Sequence, residues 1–130
     1  MADEIMIGET GLVSLTENQD IGKLIQPLQR EIELFDSYVA GTTHLKEREV
    51  LETIAIGDQL SLVREENLYD EFAVLIRTEK GQKLGYIPRK DNAVFARLMD
   101  AGKLLTAKIT EIKKQGNFSL IGIRIYLLDF

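Results

Sequence analysis

The stretch from Phe72 to Pro88 leaves this chain the least conformational freedom. Phe72-Ala73-Val74-Leu75-Ile76 and Leu84-Gly85-Tyr86-Ile87 are short runs of branched, aliphatic and aromatic residues, separated by the polar turn Glu79-Lys80-Gly81-Gln82. Side chains of this kind suit the pleated surface of a strand, and a glycine-containing turn joins two such runs as an antiparallel hairpin. Pro88 has no amide hydrogen to give a ladder and stops the second strand. Leu60-Ser61-Leu62-Val63 adds an earlier strand, joined to the hairpin by the polar loop Arg64–Glu71.

The flanking segments extend this pattern. Ser37-Tyr38-Val39-Ala40 reads as a strand ending at Gly41, and residues 47–55 as one or two helical turns closed by Gly57. Phe95, Leu98 and Met99 mark one face of a helix that Asp91 or Asn92 would cap and Gly102 would end. Leu105, Ala107 and Ile109 alternate with polar residues as in a half-buried strand, and Gln115-Gly116-Asn117 turns the chain into a last strand, Phe118–Leu128. Upstream, Ile21, Leu24, Ile25, Leu28, Ile32 and Phe35 follow the spacing of an amphipathic helix, which Pro27 restricts to a short helix over 27–34. Many short strands with few helices predict a mainly β fold. The expectation is a small OB-like or SH3-like β-barrel of about six strands with two or three short helices. It occupies residues 37–130, behind an extension over 1–36.

Charge is divided unevenly between these parts. The net charge of −5 conceals 2 basic and 8 acidic side chains in residues 1–36, against 14 basic and 13 acidic in residues 37–130. The acidity belongs to the extension, a candidate surface for homo-oligomer formation, while the barrel is near neutral and free to receive an anion. A chain of 130 residues suits one domain of this size. No apolar run is long enough for a membrane span, and the start Met1-Ala2-Asp3-Glu4 lacks the basic, apolar pattern of a signal peptide, so the expected location is cytoplasmic.

Composition removes several kinds of chemistry. With 0 Cys and 1 His, thiolate zinc sites, cysteine nucleophiles and paired-histidine catalysis are excluded. No serine lies on a glycine elbow, and no phosphate-binding or dinucleotide-binding glycine motif is present. Asp58, Glu65, Glu66 and Asp70 are the remaining carboxylates that a Mg²⁺-dependent nuclease would need to gather. No enzyme activity, cofactor or metal is expected.

Three pieces in order carry a resemblance. They are Val39-Ala40-Gly41-Thr42-Thr43-His44, Leu62-Val63-Arg64-Glu65-Glu66-Asn67-Leu68-Tyr69-Asp70-Glu71-Phe72-Ala73-Val74, and Leu84-Gly85-Tyr86-Ile87-Pro88-Arg89. Together they resemble the HIRAN domain. The resemblance implies a modified OB-like barrel that binds single-stranded DNA, in the best-understood members by capturing a free 3′ end. Those members carry the domain beside helicase motors and RING modules, so a helicase or nuclease is the protein partner implied for a chain without a motor.

By the same resemblance, Asp70 would receive the terminal 3′-hydroxyl, since a carboxylate accepts a hydrogen bond from a hydroxyl and repels a phosphate. Tyr69 would stack on a base and Asn67 would bond a base edge or hold the loop. Arg64, Arg89 and Lys90 would contact phosphates. The family's DNA binders carry an Arg and aromatic residues after the glycine strand, where this chain has His44-Leu45-Lys46; Tyr86 is the ring available to replace them. Read without the resemblance, Asn67 and Asp70 are also the side chains that close Asx turns between strands. A barrel that keeps the fold as a protein-interaction module is the alternative.

Overall fold

The computed structural model describes residues 30–116 and 118–129. Strand β1 spans Arg30–Tyr38, followed by two 3-10 turns at Thr42–His44 and Arg48–Glu52. Then come β2 (Gln59–Arg64), β3 (Val74–Thr78), β4 (Lys83–Tyr86), helix α1 (Arg89–Asp100), β5 (Leu104–Gln115) and β6 (Phe118–Asp129). The strands form one sheet in the order β1-β6-β5-β2-β3-β4, with β2–β3, β2–β5, β3–β4 and β5–β6 antiparallel. The architecture is that of a curled half-barrel, as the mainly β, OB-like reading requires.

Alternation decides which face turns inward. In β2 Leu60 and Leu62 are buried while Ser61 and Val63 are exposed, and in β6 Ile121, Ile123 and Ile125 are fully buried. These side chains meet Val74, Ile76, Leu84, Ala107 and Ile109, and Phe95 and Ala96 of α1 cover part of the cluster. Each large aliphatic side chain withdrawn from water in this way contributes about 1.5–3 kcal/mol. The β3–β4 turn is the one expected: Gly81 sits at φ 85°, its amide donates to the Thr78 carbonyl at 2.9 Å, and the Thr78 amide donates to the Gln82 carbonyl at 2.9 Å.

The curl closes through a two-bond bridge. Beyond β1 the chain lies beside β6, where the Val39 amide donates to the Ile121 carbonyl. One residue later it crosses to the outer edge of β4, with the Ala40 amide donating to the Tyr86 carbonyl at 2.7 Å and the Tyr86 amide to the Ala40 carbonyl at 2.9 Å. Gly85 makes this approach possible. A Cβ on Gly85 would lie 2.4 Å from the Ala40 carbonyl oxygen and 2.5 Å from Val39 Cγ1.

Three local expectations are corrected. Residues 30–34, expected within a helix over 27–34, lie in β1; the rest of that segment, and the 1–36 extension as far as residue 29, fall outside the described residues. Helical and strand periods both fit Glu31-Ile32-Glu33-Leu34, and ion pairs favour the strand. Glu31 pairs with Lys108 at 3.0 Å, and Arg124 with Asp36 at 2.6 Å and Glu33 at 3.8 Å. β1 therefore crosses the expected 36/37 boundary. The strand expected at 72–76 begins at Val74, because Ala73 still closes the preceding loop. Helix α1 begins at Arg89 directly after Pro88, without a side-chain cap. Asp91 in its first turn accepts a bond from the Ser37 hydroxyl at 2.9 Å, and Asn92 is buried. Gly102, at φ 93°, ends the helix as expected.

Gly85→Ala is expected to destabilise the protein by about 1–3 kcal/mol, the range for overpacking against groups that cannot yield. Gly122→Ala, whose nearest obstruction is the Glu111 Cβ at 3.2 Å, should cost less. Urea unfolding of the two variants makes the comparison.

Candidate functional site

The loop between β2 and β3 is shaped by its own side chains. Asn67 Oδ1 accepts from the amides of Tyr69 and Asp70, each at 2.8 Å, and Asp70 Oδ1 accepts from the Phe72 amide at 3.0 Å. These are Asx-turn bonds, which fold a polar loop without help from a strand partner. They leave Leu68 at 99% and Tyr69 at 85% exposure, so a large aromatic ring stands in solvent.

Arg64 braces the same loop from its base. It donates to the Ala73 carbonyl at 2.8 Å and the Glu71 carbonyl at 2.9 Å, and forms a two-pronged pair with Asp100 at 2.9 and 3.2 Å. The Arg64 guanidinium holds the Asp100 carboxyl below the usual carboxylate range, and the same hydrogen bond raises the Arg64 pKa. Arg64 lies outside the cleft lining and most of its donors hold the loop and Asp100, an anchoring arrangement.

Five of the residues singled out by sequence meet at one cleft of about 270 Å³: Asn67, Tyr69, Asp70, Tyr86 and Arg89 line it with Gly41. Ala40, the bridge residue, also lines it. Gly41 sits at φ 82°, and a Cβ there would lie 3.9 Å from the Tyr86 ring. Asp70 is the polar centre. Its Oδ2 accepts from the Asn92 side-chain amide at 2.8 Å and lies 3.6 Å from Arg89 Nε. A carboxylate offers about four acceptor sites, so Asp70 keeps acceptor capacity, and its side chain is 19% exposed. Arg89 donates to the Tyr69 carbonyl, which fastens the loop to the start of α1. The Tyr86 hydroxyl donates to Glu65 Oε1 at 2.8 Å and accepts from Lys83 Nζ at 3.2 Å, which fixes the ring at the cleft wall.

The other expected residues stand elsewhere. Lys90 lies on α1 with its Nζ 5.6 Å from the centre of the Tyr38 ring. His44 and Lys46 line a separate concavity of about 410 Å³ with Leu45, Glu47 and Lys83. Among the described residues no group of three or more acidic or histidine side chains could hold a metal ion, so Asp58, Glu65, Glu66 and Asp70 do not form the set a metal nuclease needs. Nor is any helix among them long and apolar enough to cross a membrane. Sequence reasoning missed Asn92, read there as a helix cap. A buried asparagine facing a loop carboxylate from another element has no signature in local spacing.

The family model of the HIRAN domain matches residues 32–127. A crystal structure of a protein from Lactobacillus plantarum is 29% identical with TM-score 0.73, covering 78% of this chain and 99% of that one. The crystal structure of the HIRAN domain of human HLTF is 15% identical with TM-score 0.63, covering 80% and 82% of the respective chains, and shows likeness of fold. No curated protein matches the chain.

Asn92→Ala should lower stability by about 1.5–3 kcal/mol in urea unfolding, the range for a hydrogen bond to a charged group. Asp100 titrates below its ordinary value, so its pairing stabilises the fold above about pH 4 and the contribution fades as pH falls through the lower folded value. Asp100→Asn should therefore flatten the acid limb of a stability–pH profile measured by thermal melting.

Proposed function

From the premise that this chain belongs to the HIRAN domain family of DNA-binding domains, we propose that it binds single-stranded DNA at a free 3′ end in the cleft above the Asn67–Asp70 loop. The observation that carries this reading is a carboxylate with acceptor capacity that lines one cleft together with two aromatic rings and a cation, those of Asp70, Tyr69, Tyr86 and Arg89. A terminal hydroxyl can donate to Asp70, whereas a terminal phosphate would be repelled by it. Tyr69, standing in solvent, offers a base about 1–3 kcal/mol of stacking. Tyr86 supplies a second ring, in the role that the stretch after Gly41 lacks. Arg89 is 68% exposed and can bond a phosphate without leaving the loop carbonyl it already holds.

The module acts by binding, and a helicase or nuclease acting on the same end is the kind of protein it would serve. Nucleotide identity plays little part, because stacking and phosphate contacts position a strand without reading its sequence.

Fluorescence anisotropy with short single strands ending in 3′-hydroxyl or 3′-phosphate tests the reading. The hydroxyl end should bind about 10–100-fold more tightly, the equivalent of about 1.5–3 kcal/mol for a hydrogen bond to a charged acceptor. Asp70→Asn should remove most of that preference. Equal binding of the two ends by the wild type would overturn end recognition.

A further inference from the structure

We infer that the DNA path continues from the cleft over Tyr86 onto the exposed face of β2, β3 and β4, where Arg77 and Lys83 contact phosphates further upstream than the one that adjoins the terminal nucleotide. The inference rests on the reading of the cleft as the 3′-end site. A shallow groove of about 320 Å³ is lined by Val63, Arg64, Glu65, Leu75, Arg77, Lys83 and Tyr86. It shares Tyr86 with the cleft and Lys83 with the concavity that holds His44 and Lys46. The three depressions are thus joined through two side chains.

Arg64 is engaged by Asp100, whereas the charges of Arg77 and Lys83 are unexplained by folding. Arg77 and Lys83 are direct cross-strand partners in the β3–β4 ladder. Like charges placed opposite one another destabilise a sheet. The same fold contains a second pair of this kind, Lys108 opposite Arg124 in the β5–β6 ladder, and handles it differently. Glu31, Glu33 and Asp36 of β1 lie against that pair and neutralise it. Among the described residues no carboxylate forms an ion pair with Arg77 or Lys83; Lys83 bonds only the Tyr86 hydroxyl and stands 4.7 Å from that ring's centre. An exposed, uncompensated cation pair beside an aromatic ring matches a polyanion that also carries flat bases. Val63, 38% exposed beside them, adds an apolar surface for a sugar or base. Glu65 is the one acid on the groove, and its Oε1 is engaged by the Tyr86 hydroxyl.

The test compares a 3′-hydroxyl dinucleotide with a 3′-hydroxyl octanucleotide by anisotropy across a salt series, for the wild type, Arg77→Gln and Lys103→Gln. The wild type should bind the longer strand more tightly. Arg77→Gln should lose most of that gain, keep its affinity for the dinucleotide, and reduce the salt slope by about 0.7, the value for one phosphate contact on a single strand. Lys103→Gln, at the β5 entrance, should match the wild type. Arg77→Gln should also unfold at an equal or higher urea concentration, because it removes a repulsion. Equal binding of both lengths by the wild type, a full gain retained in Arg77→Gln, an equal loss in Lys103→Gln, or a clear stability loss in Arg77→Gln would each overturn the inference. Absence of binding to both strands would instead overturn the reading of the cleft, and the path with it.

Discussion

Everything at the cleft depends on the two hydrogen bonds between Ala40 and Tyr86. They join the chain that leaves the β1 end of the sheet to the outer edge of β4, and so bring the two ends of a six-strand sheet together. The contact is close enough to exclude any side chain from Gly85. Because the bridge falls at the start of the Gly41 turn and immediately before Ile87-Pro88, it sets Gly41, Tyr86 and Arg89 beside one another. The Asx-turned loop then supplies Tyr69 and Asp70 from the opposite side. The bridge that holds the curl of the sheet also lines the site.

Electrostatics follows a division of labour between the two sides of the sheet. β1 contributes three acids that neutralise cations of β5 and β6, so part of the acidity counted in the amino-terminal quarter sits on the exposed face of the sheet itself. Arg77 and Lys83, on the face of β2, β3 and β4, receive no such ion pairing from the described residues. An overall charge of −5 therefore coexists with an uncompensated cation pair beside the cleft. Net charge governs long-range attraction, whereas local placement governs which surface an anion finds. Weak steering with selective local contact is the behaviour this distribution supports.

The sequence made the core of the fold legible wherever alternation and turn chemistry agreed. The Gly81 hairpin, the Pro88 stop and the Gly102 helix end all stand where local chemistry put them. It failed at β1, where Glu31-Ile32-Glu33-Leu34 fits two periods and the decision is made by Lys108 and Arg124, more than seventy residues away. The site was half legible. Asn67, Tyr69, Asp70, Tyr86 and Arg89 converge as a family motif suggested. Arg64 is drawn away by Asp100, and Asn92 is recruited from α1, because both pairings are tertiary and leave no periodic trace. The bland and the functional readings of Asn67 and Asp70 turn out to be compatible: the same Asx bonds that shape the loop present its ring and carboxylate.

The most direct test of this account is a two-dimensional amide NMR titration of the whole chain with a short 3′-hydroxyl single strand. The account predicts that the shifted amides cluster at Ala40 and Gly41, at Asn67–Asp70 and at Tyr86–Arg89, and extend to Arg77 only with longer strands. Shifts confined to β1 and β6, or a spectrum unchanged at saturating DNA, would contradict it.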